Sequence, residues 1–343
     1  MKAMLLREIV DLNSNPEPLQ LAEVPLPEPG PTDILLRVIT CGICHTELDE
    51  IEGRTPPAFF PMVLGHQVVG EVIRTGRAVE SPRIGDRVGV AWIYSACGEC
   101  PHCRKGNENL CPRFQATGRD QWGGYAEYMR VPAAAVFPVP ERFSACEAAP
   151  LLCAGAIGYR SLRLTGIING QRLGLTGFGA SAHLVLKMVR HKFPATPVSV
   201  FARSPEERAF ALQLGAAWAG DTSDTAPEPC DAIIDTTPVW TPVIEALRNL
   251  APAGRLVVNA IRKENIDREV WSRLDYARHL WLEKEIKSVA NVTRCDVCEF
   301  LDLAAVIPIV PEFEPYRLED VNRALLELKN RRIRGAKVLV IGE

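Results

Sequence analysis

Two textures of hydrophobic and polar positions divide the chain. Up to about residue 150, short β-type runs recur at Ile34 to Ile39, Val68 to Ile73, Arg87 to Trp92 and Tyr125 to Val131. Turn signals such as Glu28-Pro-Gly-Pro and Ile84-Gly-Asp separate them, so this part reads as an irregular, mainly β domain. Past Ala148 the pattern alternates. Strands are predicted at Arg172 to Thr176, Val198 to Ala202, Ala232 to Asp235 and Arg255 to Ala260. Helices are predicted at Ala180 to His191, Glu206 to Leu214 and Val243 to Leu250. Repeated βα units imply a parallel sheet with helices on both faces. After about residue 290 the texture changes again. Thr293 and Asp296 can cap a helix running to Ala305. Pro-rich segments, an amphipathic helix from Leu318 to Lys329 and a strand from Ala336 to Ile341 follow. The reading is an α/β protein: a β-rich domain over 1–150, a doubly wound domain over 151–290, and a return to the first domain over 291–343.

The length, 343 residues, suits two domains. A net charge of -3 without a long basic run argues against nucleic acid or an anionic membrane as partner. No apolar stretch reaches the roughly 18–20 residues of a membrane span. Lys2, Arg7 and Glu8 leave no room for the apolar core of a signal peptide in the first ten residues, so a cytoplasmic location is expected. Eleven cysteines, an odd number, fit metal binding better than a disulfide framework in such a compartment.

Cys97-x2-Cys100-x2-Cys103-x7-Cys111 is the most specific metal signal. Two-residue gaps let tight turns aim successive sulfurs at one tetrahedral ion, Gly98 and Gly106 permit the turns, and Pro101 and Pro112 stiffen them. Four thiolates leave no open position, which describes a structural zinc. His102 reads as a surface residue. Cys295-x2-Cys298 resembles a redox or metal pair, but no second pair or histidine lies nearby, and it reads as a chance spacing at a helix start. Cys146 and Cys230 read as ordinary thiols.

A Gly-rich turn, Gly177-Phe178-Gly179-Ala180-Ser181-Ala182, follows one predicted strand and opens a helix. Gly177 would allow the tight turn, and Gly179 would let backbone approach a pyrophosphate at the helix N-terminus. Ala182 is small enough for helix–strand packing. No acid ends the second strand. Arg203 and Ser204, followed by Arg208, could instead bind a ribose 2′-phosphate, so NADP(H) is favoured over NAD(H).

Gly42-Ile-Cys44-His-Thr46, Gly65-His66, Gly85-Asp-Arg-Val, the four-cysteine loop, Gly123-Gly-Tyr-Ala-Glu-Tyr and the Gly-rich turn occur in an order that resembles the zinc-containing medium-chain alcohol dehydrogenases. The resemblance spans essentially the whole chain. Gly177-Phe-Gly-Ala-Ser-Ala and Arg332-Ile-Arg-Gly look closest to a bacterial branch related to the cinnamyl alcohol dehydrogenases. The resemblance implies a GroES-like catalytic domain and a Rossmann domain, with the active site in the cleft between them. It implies a catalytic zinc on Cys44, His66 and Cys153, with one position open, and hence two zinc ions per chain. Such a Lewis acid lowers the pKa of an alcohol, or polarises a carbonyl, for hydride exchange with a nicotinamide. Thr46 matches the hydroxyl that takes the substrate proton and passes it through the cofactor ribose. Glu47 matches an acid that orients the ligand histidine. Arg334 loosely matches an arginine that meets the pyrophosphate.

Two positions depart from the family pattern. Gln67 stands where many members carry an acid able to approach the zinc, and a neutral amide is a weaker ligand. Asp49, counted from Cys44, stands where liver-type enzymes end the proton relay with a histidine. The implied substrates are primary or secondary alcohols and their carbonyl products, and the implied assembly is a homodimer or homotetramer. Two other readings remain: a zinc-free quinone or enoyl reductase of the same superfamily, and a non-catalytic nucleotide-binding protein. The three zinc ligands speak against the first and Thr46 against the second.

Overall fold

In a computed structural model, which describes residues 1–330 and 335–342, the chain forms two compact units. One comprises Met1–Cys153, Val292–Ala305 and Val310–Glu343; the other comprises Ala154–Asn291 and Val306–Ile309.

The first unit is built on a seven-stranded sheet. Its order is Val136–Pro138, Arg87–Val90, Gln67–Thr75, Asp33–Ile43, Ala336–Val340 and Phe313–Arg317, with Tyr128–Pro132 also pairing to Asp33–Ile43. Asp33–Ile43 is buried along nearly its whole length, as its run of Ile, Leu and Val requires. Register shifts between Leu35 and Leu36 and between Val38 and Thr40 mark irregularities against Gln67–Thr75. Lys2–Leu6 pairs with Leu19–Glu23 and Met62–Val63 in a smaller sheet. The last strand runs antiparallel to Asp33–Ile43, with Leu339 opposite Cys41, so the C-terminal segment completes this core.

The second unit is a six-stranded, all-parallel sheet. Its order is Trp218–Gly220, Val198–Phe201, Leu173–Thr176, Cys230–Asp235, Leu250–Val258 and Glu285–Ser288. Chain direction around the sheet reverses between Leu173–Thr176 and Cys230–Asp235. That is the switch point where open α/β sheets leave a crevice. The helices Ala182–Lys192, Pro205–Gln213 and Thr241–Arg248 lie within two residues of their predicted starts and ends. Leu250 belongs to the following strand rather than the helix, and Tyr125 lies before its strand rather than in it.

An ion cluster around one buried lysine locks the C-terminal segment. Lys337, 2% exposed, points its ammonium at Tyr316 Oη (2.5 Å), Glu327 Oε2 (2.7 Å) and Glu314 Oε2 (3.0 Å). A lysine ammonium buried at this depth needs such a shell of acceptors. Hydrogen bonds from Lys337 and the Tyr316 hydroxyl hold the Glu327 carboxyl below its ordinary 4.5. Lys337→Met, which leaves those solvent-reachable acceptors to water, is expected to cost about 1 kcal/mol at neutral pH. Because the Glu327 value is depressed in the folded state, its contribution is present above about pH 4.5 and is lost as pH falls through the lower folded value. Equilibrium unfolding between pH 7 and 3 should therefore show wild type converging on the variant; equal stabilities at pH 7 would contradict this.

Candidate active site

Three potential ligands converge in the first unit. Cys44 Sγ, one His66 ring nitrogen and Cys153 Sγ lie within 4.8 Å of one another. Cys44 caps the helix His45–Ile51 from an extended backbone, and Thr46 N–H donates to its sulfur at 3.4 Å. His66 is 1% exposed and precedes the strand Gln67–Thr75. Gly65 makes that approach possible. Its φ is +95°, and a Cβ there would meet Tyr125 Cδ1 at 2.5 Å and Cys41 Sγ at 2.8 Å. Cys153 sits in a π-helical turn, Leu151–Gly155, immediately after the helix Ala145–Pro150. Pro150 lacks an N–H, and a π turn re-aims the side chains that follow a regular helix.

One carboxylate aligns two of the three. Glu47 Oε2 accepts from the Cys44 backbone N–H at 2.8 Å, and Oε1 lies 2.6 Å from His66 Nδ1. The other ring nitrogen, Nε2, is 3.8 Å from Cys44 Sγ. Glu47 is 0% exposed, so this contact is fully desolvated. Burial alone would lower His66, but the Glu47 and Cys44 charges outweigh it and hold the imidazole well above its ordinary value. The neighbouring Cys153 thiol, burial and Glu47 push Cys44 well above the usual thiol range. Two thiols and an imidazole beside a buried carboxylate make a donor set that a divalent cation would neutralise by displacing protons. The three donors, N and S in character, fit zinc with one position left over.

The second cluster is closed. Cys97, Cys100, Cys103 and Cys111 bring four sulfurs within 4.8 Å, with Cys97 and Cys103 Sγ 3.8 Å apart. Backbone N–H groups of Cys97, Cys100, Cys103 and Arg113 donate to these sulfurs at 3.3–3.5 Å. Backbone donors from Glu99 and Cys100 lower Cys97 to about 6, whereas burial and the neighbouring thiols raise Cys103 to about 12. Such N–H···S bonds stabilise thiolates around a tetrahedral ion. Gly98 (φ +76°) and Gly106 (φ +69°) make the turns, and His102 is exposed.

The remaining predicted residues separate. Thr46 is half-buried beside Cys44. The Asp49 carboxylate does not join the cluster; it receives Arg54 Nε at 2.5 Å. Gln67 is 3% exposed, its side chain lies over Gly42, and its amide nitrogen has no hydrogen-bond partner. Glu50, which the sequence pattern does not single out, is 0% exposed. Burial and Glu47 push its carboxyl well above the ordinary range, partly offset by His66, Arg119 and Trp92. Its signal was the helical spacing Glu47–Glu50, which puts two acids on one face.

In the second unit, Gly177 (φ +75°) follows the strand Leu173–Thr176, and a Cβ there would meet Thr237 Cγ2 at 2.9 Å and Thr236 Oγ1 at 3.0 Å. Gly179 faces open space and Ala180 is exposed. The helix begins at Ala182, two residues later than predicted, because Ala180 and Ser181 belong to the turn. Phe178 is buried edge-on against Phe210, so its side chain serves packing. Behind the turn, buried Asp235 accepts from Thr176 Oγ1 (2.6 Å) and Thr237 Oγ1 (2.8 Å) and pairs with Lys263. No sequence signal marked this lock. Arg203 is exposed. Ser204 caps the helix Pro205–Gln213 and donates to Glu206 Oε2 at 2.5 Å. Arg208 donates to the carbonyls of Ala202 and Arg203 and pairs with Asp221 at 3.2 Å. Ser204 and Arg208 are thus engaged within the fold. Arg334 lies outside the described residues.

Gly65→Ala combines a left-handed backbone with a collision, whereas Gly98→Ala meets nothing within 4 Å and suffers only the backbone penalty. The first is expected to cost on the order of 3 kcal/mol and the second about 1 kcal/mol. Thermal unfolding of both variants checks the ranking, and equal costs would overturn it.

The sequence signature of the alcohol dehydrogenase GroES-like domain matches residues 30–141. The chain is 43% identical to a probable alcohol dehydrogenase, AdhA, of Mycobacterium tuberculosis, over 94% of this chain and 93% of that protein. It is 31% identical to an alcohol dehydrogenase of Geobacillus stearothermophilus, over 97% and 98%. A cinnamyl alcohol dehydrogenase structure from Sorghum bicolor superposes with a TM-score of 0.84 at 28% identity, covering 99% of this chain and 97% of that one.

Proposed function

The chain belongs to the zinc-containing medium-chain alcohol dehydrogenases, and on that premise we propose that it catalyses reversible hydride transfer between a primary or secondary alcohol and a nicotinamide dinucleotide. The observation that carries the reading is the gathering of Cys44, His66 and Cys153 within 4.8 Å, with Glu47 behind the imidazole. In this proposal those three residues hold a catalytic zinc, and Cys97, Cys100, Cys103 and Cys111 hold a structural one. When bound, the zinc supplies Lewis acidity toward the alcohol or carbonyl oxygen, and the nicotinamide exchanges the hydride.

The chain's own groups do the rest. Glu47 lies against His66 Nδ1 so that Nε2 is left toward Cys44 Sγ, and it anchors the Cys44 backbone. Thr46, half-buried two residues from Cys44, would offer its hydroxyl to the substrate proton. Gly177, at positive φ, and Gly179, with nothing within 4 Å of a Cβ, would let a pyrophosphate approach the backbone of the turn ahead of the helix Ala182–Lys192. Arg203, exposed after the second strand, would bind the 2′-phosphate of NADP(H). A specific observation supports a second reading for the cofactor: the Glu206 carboxylate at Ser204 opposes a phosphate and would favour NAD(H).

Aliphatic, aromatic and cinnamyl alcohols and aldehydes assayed with both cofactors test the activity, alongside metal analysis. Turnover with close to two zinc ions per chain is expected; cofactor binding without turnover, or one ion or none, would contradict the reading. Thr46→Ala should lower kcat roughly a hundredfold or more with its zinc retained, as loss of a general acid–base group does. Arg203→Ala should lower kcat/KM for NADPH by roughly tenfold, the worth of one charged hydrogen bond, and leave NADH little changed. A wild-type preference for NADH would favour the second reading.

A further inference from the structure

A buried lysine stands behind the Gly-rich turn of the second unit. Lys263 follows the strand Leu250–Val258, and its side chain is 7% exposed. The ammonium donates to an Asp235 carboxylate oxygen, to the Thr237 carbonyl at 2.7 Å and to the Val239 carbonyl at 3.1 Å. A lysine has three N–H donors, and here each meets an acceptor, so the ammonium has none to offer a ligand. Its task is internal. Two backbone carbonyls and a carboxylate converge on one cation, and without it the loop would have to turn those carbonyls out to water.

The loop so held lies between two other parts of the unit. On one side, residues 259–267 fasten it along its length. Asn259 N–H donates to the Asp235 carbonyl at 2.7 Å, and Glu264 N–H donates to the Pro238 carbonyl at 2.6 Å. The Asp267 carboxylate accepts from Trp240 N–H at 3.0 Å and from Thr241 N–H at 2.7 Å. On the other side, the loop meets the turn. Thr236 N–H and Oγ1 both donate to the Thr176 carbonyl at 3.0 Å, and Thr176 Oγ1 donates to Asp235 Oδ1 at 2.6 Å. A Cβ on Gly177 would meet Thr237 Cγ2 at 2.9 Å and Thr236 Oγ1 at 3.0 Å, so the loop abuts the first glycine of the turn.

We propose that Lys263 is a positioning residue for the cofactor: by pinning Thr236–Trp240 it sets where the Gly177 turn lies, and affinity for either nicotinamide dinucleotide depends on it. The inference rests on the reading that this turn receives the cofactor pyrophosphate. NADPH and NADH share that pyrophosphate, so displacement of the turn weakens both alike, whereas Arg203 acts on the 2′-phosphate of one. Linkage makes the effect reciprocal. If the pinned loop favours cofactor binding, bound cofactor must stabilise the pinned loop by the same free energy.

Cofactor dissociation constants measured by calorimetry on the zinc-loaded protein test this, with hydrogen exchange followed on the wild type. Lys263→Met should raise Kd for NADPH and NADH by the same factor, roughly tenfold or more, while kcat at saturating cofactor does not fall. That variant also leaves the Asp235 charge buried and unpaired, and Lys263→Met with Asp235→Asn removes the charge. The double variant should melt above the single one and still bind both cofactors weakly. In the wild type, either cofactor should slow amide exchange over residues 235–241 and 259–267. Affinity that returns with stability in the double variant, a loss confined to one cofactor, or exchange in those segments that cofactor leaves unchanged would each overturn the proposal. Wild type that binds neither dinucleotide would contradict the cofactor reading and this inference with it; wild-type affinity retained in the folded variants would overturn this inference alone.

Discussion

A single buried carboxylate governs the geometry of the open cluster. Glu47 has one oxygen on the Cys44 backbone N–H at 2.8 Å and the other 2.6 Å from His66 Nδ1. Neither side chain of the Glu47–His66 contact reaches solvent. Removing the acid would leave the imidazole without an orienting partner and the first turn of the helix His45–Ile51 without its capping box. The surrounding sequence is arranged to bring that carboxylate into place. The helix must start at Cys44, Gly65 must adopt φ +95° under Tyr125, and the π turn Leu151–Gly155 must carry Cys153 to the same point. Three segments far apart in sequence thus share one desolvated acid or one ligand position near it.

The two cysteine clusters are built by different means. The closed one uses four local cysteines and backbone N–H donors. The open one has fewer donors and a neighbouring carboxylate, which in the proposed function would leave a position for chemistry. In the second unit the corresponding lock is Asp235 with Lys263, Thr176 and Thr237, which holds the strand ends behind Gly177. Both units therefore place a buried acid directly behind the feature that the proposed reaction uses. Gln67 and Asp49 fit this division: Gln67 packs over Gly42 and Asp49 is engaged with Arg54, so neither adds charge to the open side.

Local signals made much of this legible. The C-x2-C-x2-C-x7-C loop, the strand–Gly-rich turn–helix unit and the alternating texture after Ala148 each carry their physics within a few residues. The Thr293–Asp296 cap was readable for the same reason. Long-range features were not. Cys153 joins Cys44 and His66 only through a π turn, which no periodicity announces, so its role came from resemblance. Lys2–Leu6 and Leu19–Glu23 gave no clean alternation, and Glu285–Ser288 is an exposed edge strand without an apolar run. Glu50 and Asp235 look like ordinary acids in sequence, because burial is a property of the assembled fold. Ser204 and Arg208 were read from position alone, and the structure commits both to capping and ion-pair roles that the strand pattern could not reveal.

The central claim is that Glu47 assembles the open metal site on which the proposed reaction depends, independently of the four-thiolate loop. Zinc content and alcohol turnover measured together on a folded Glu47→Ala variant test it most directly. The account expects one zinc per chain to be retained by the loop, the second to be lost or readily removed by a mild chelator, and turnover to fall with it. A variant that keeps both ions against the chelator and oxidises alcohol at the wild-type rate would contradict the claim.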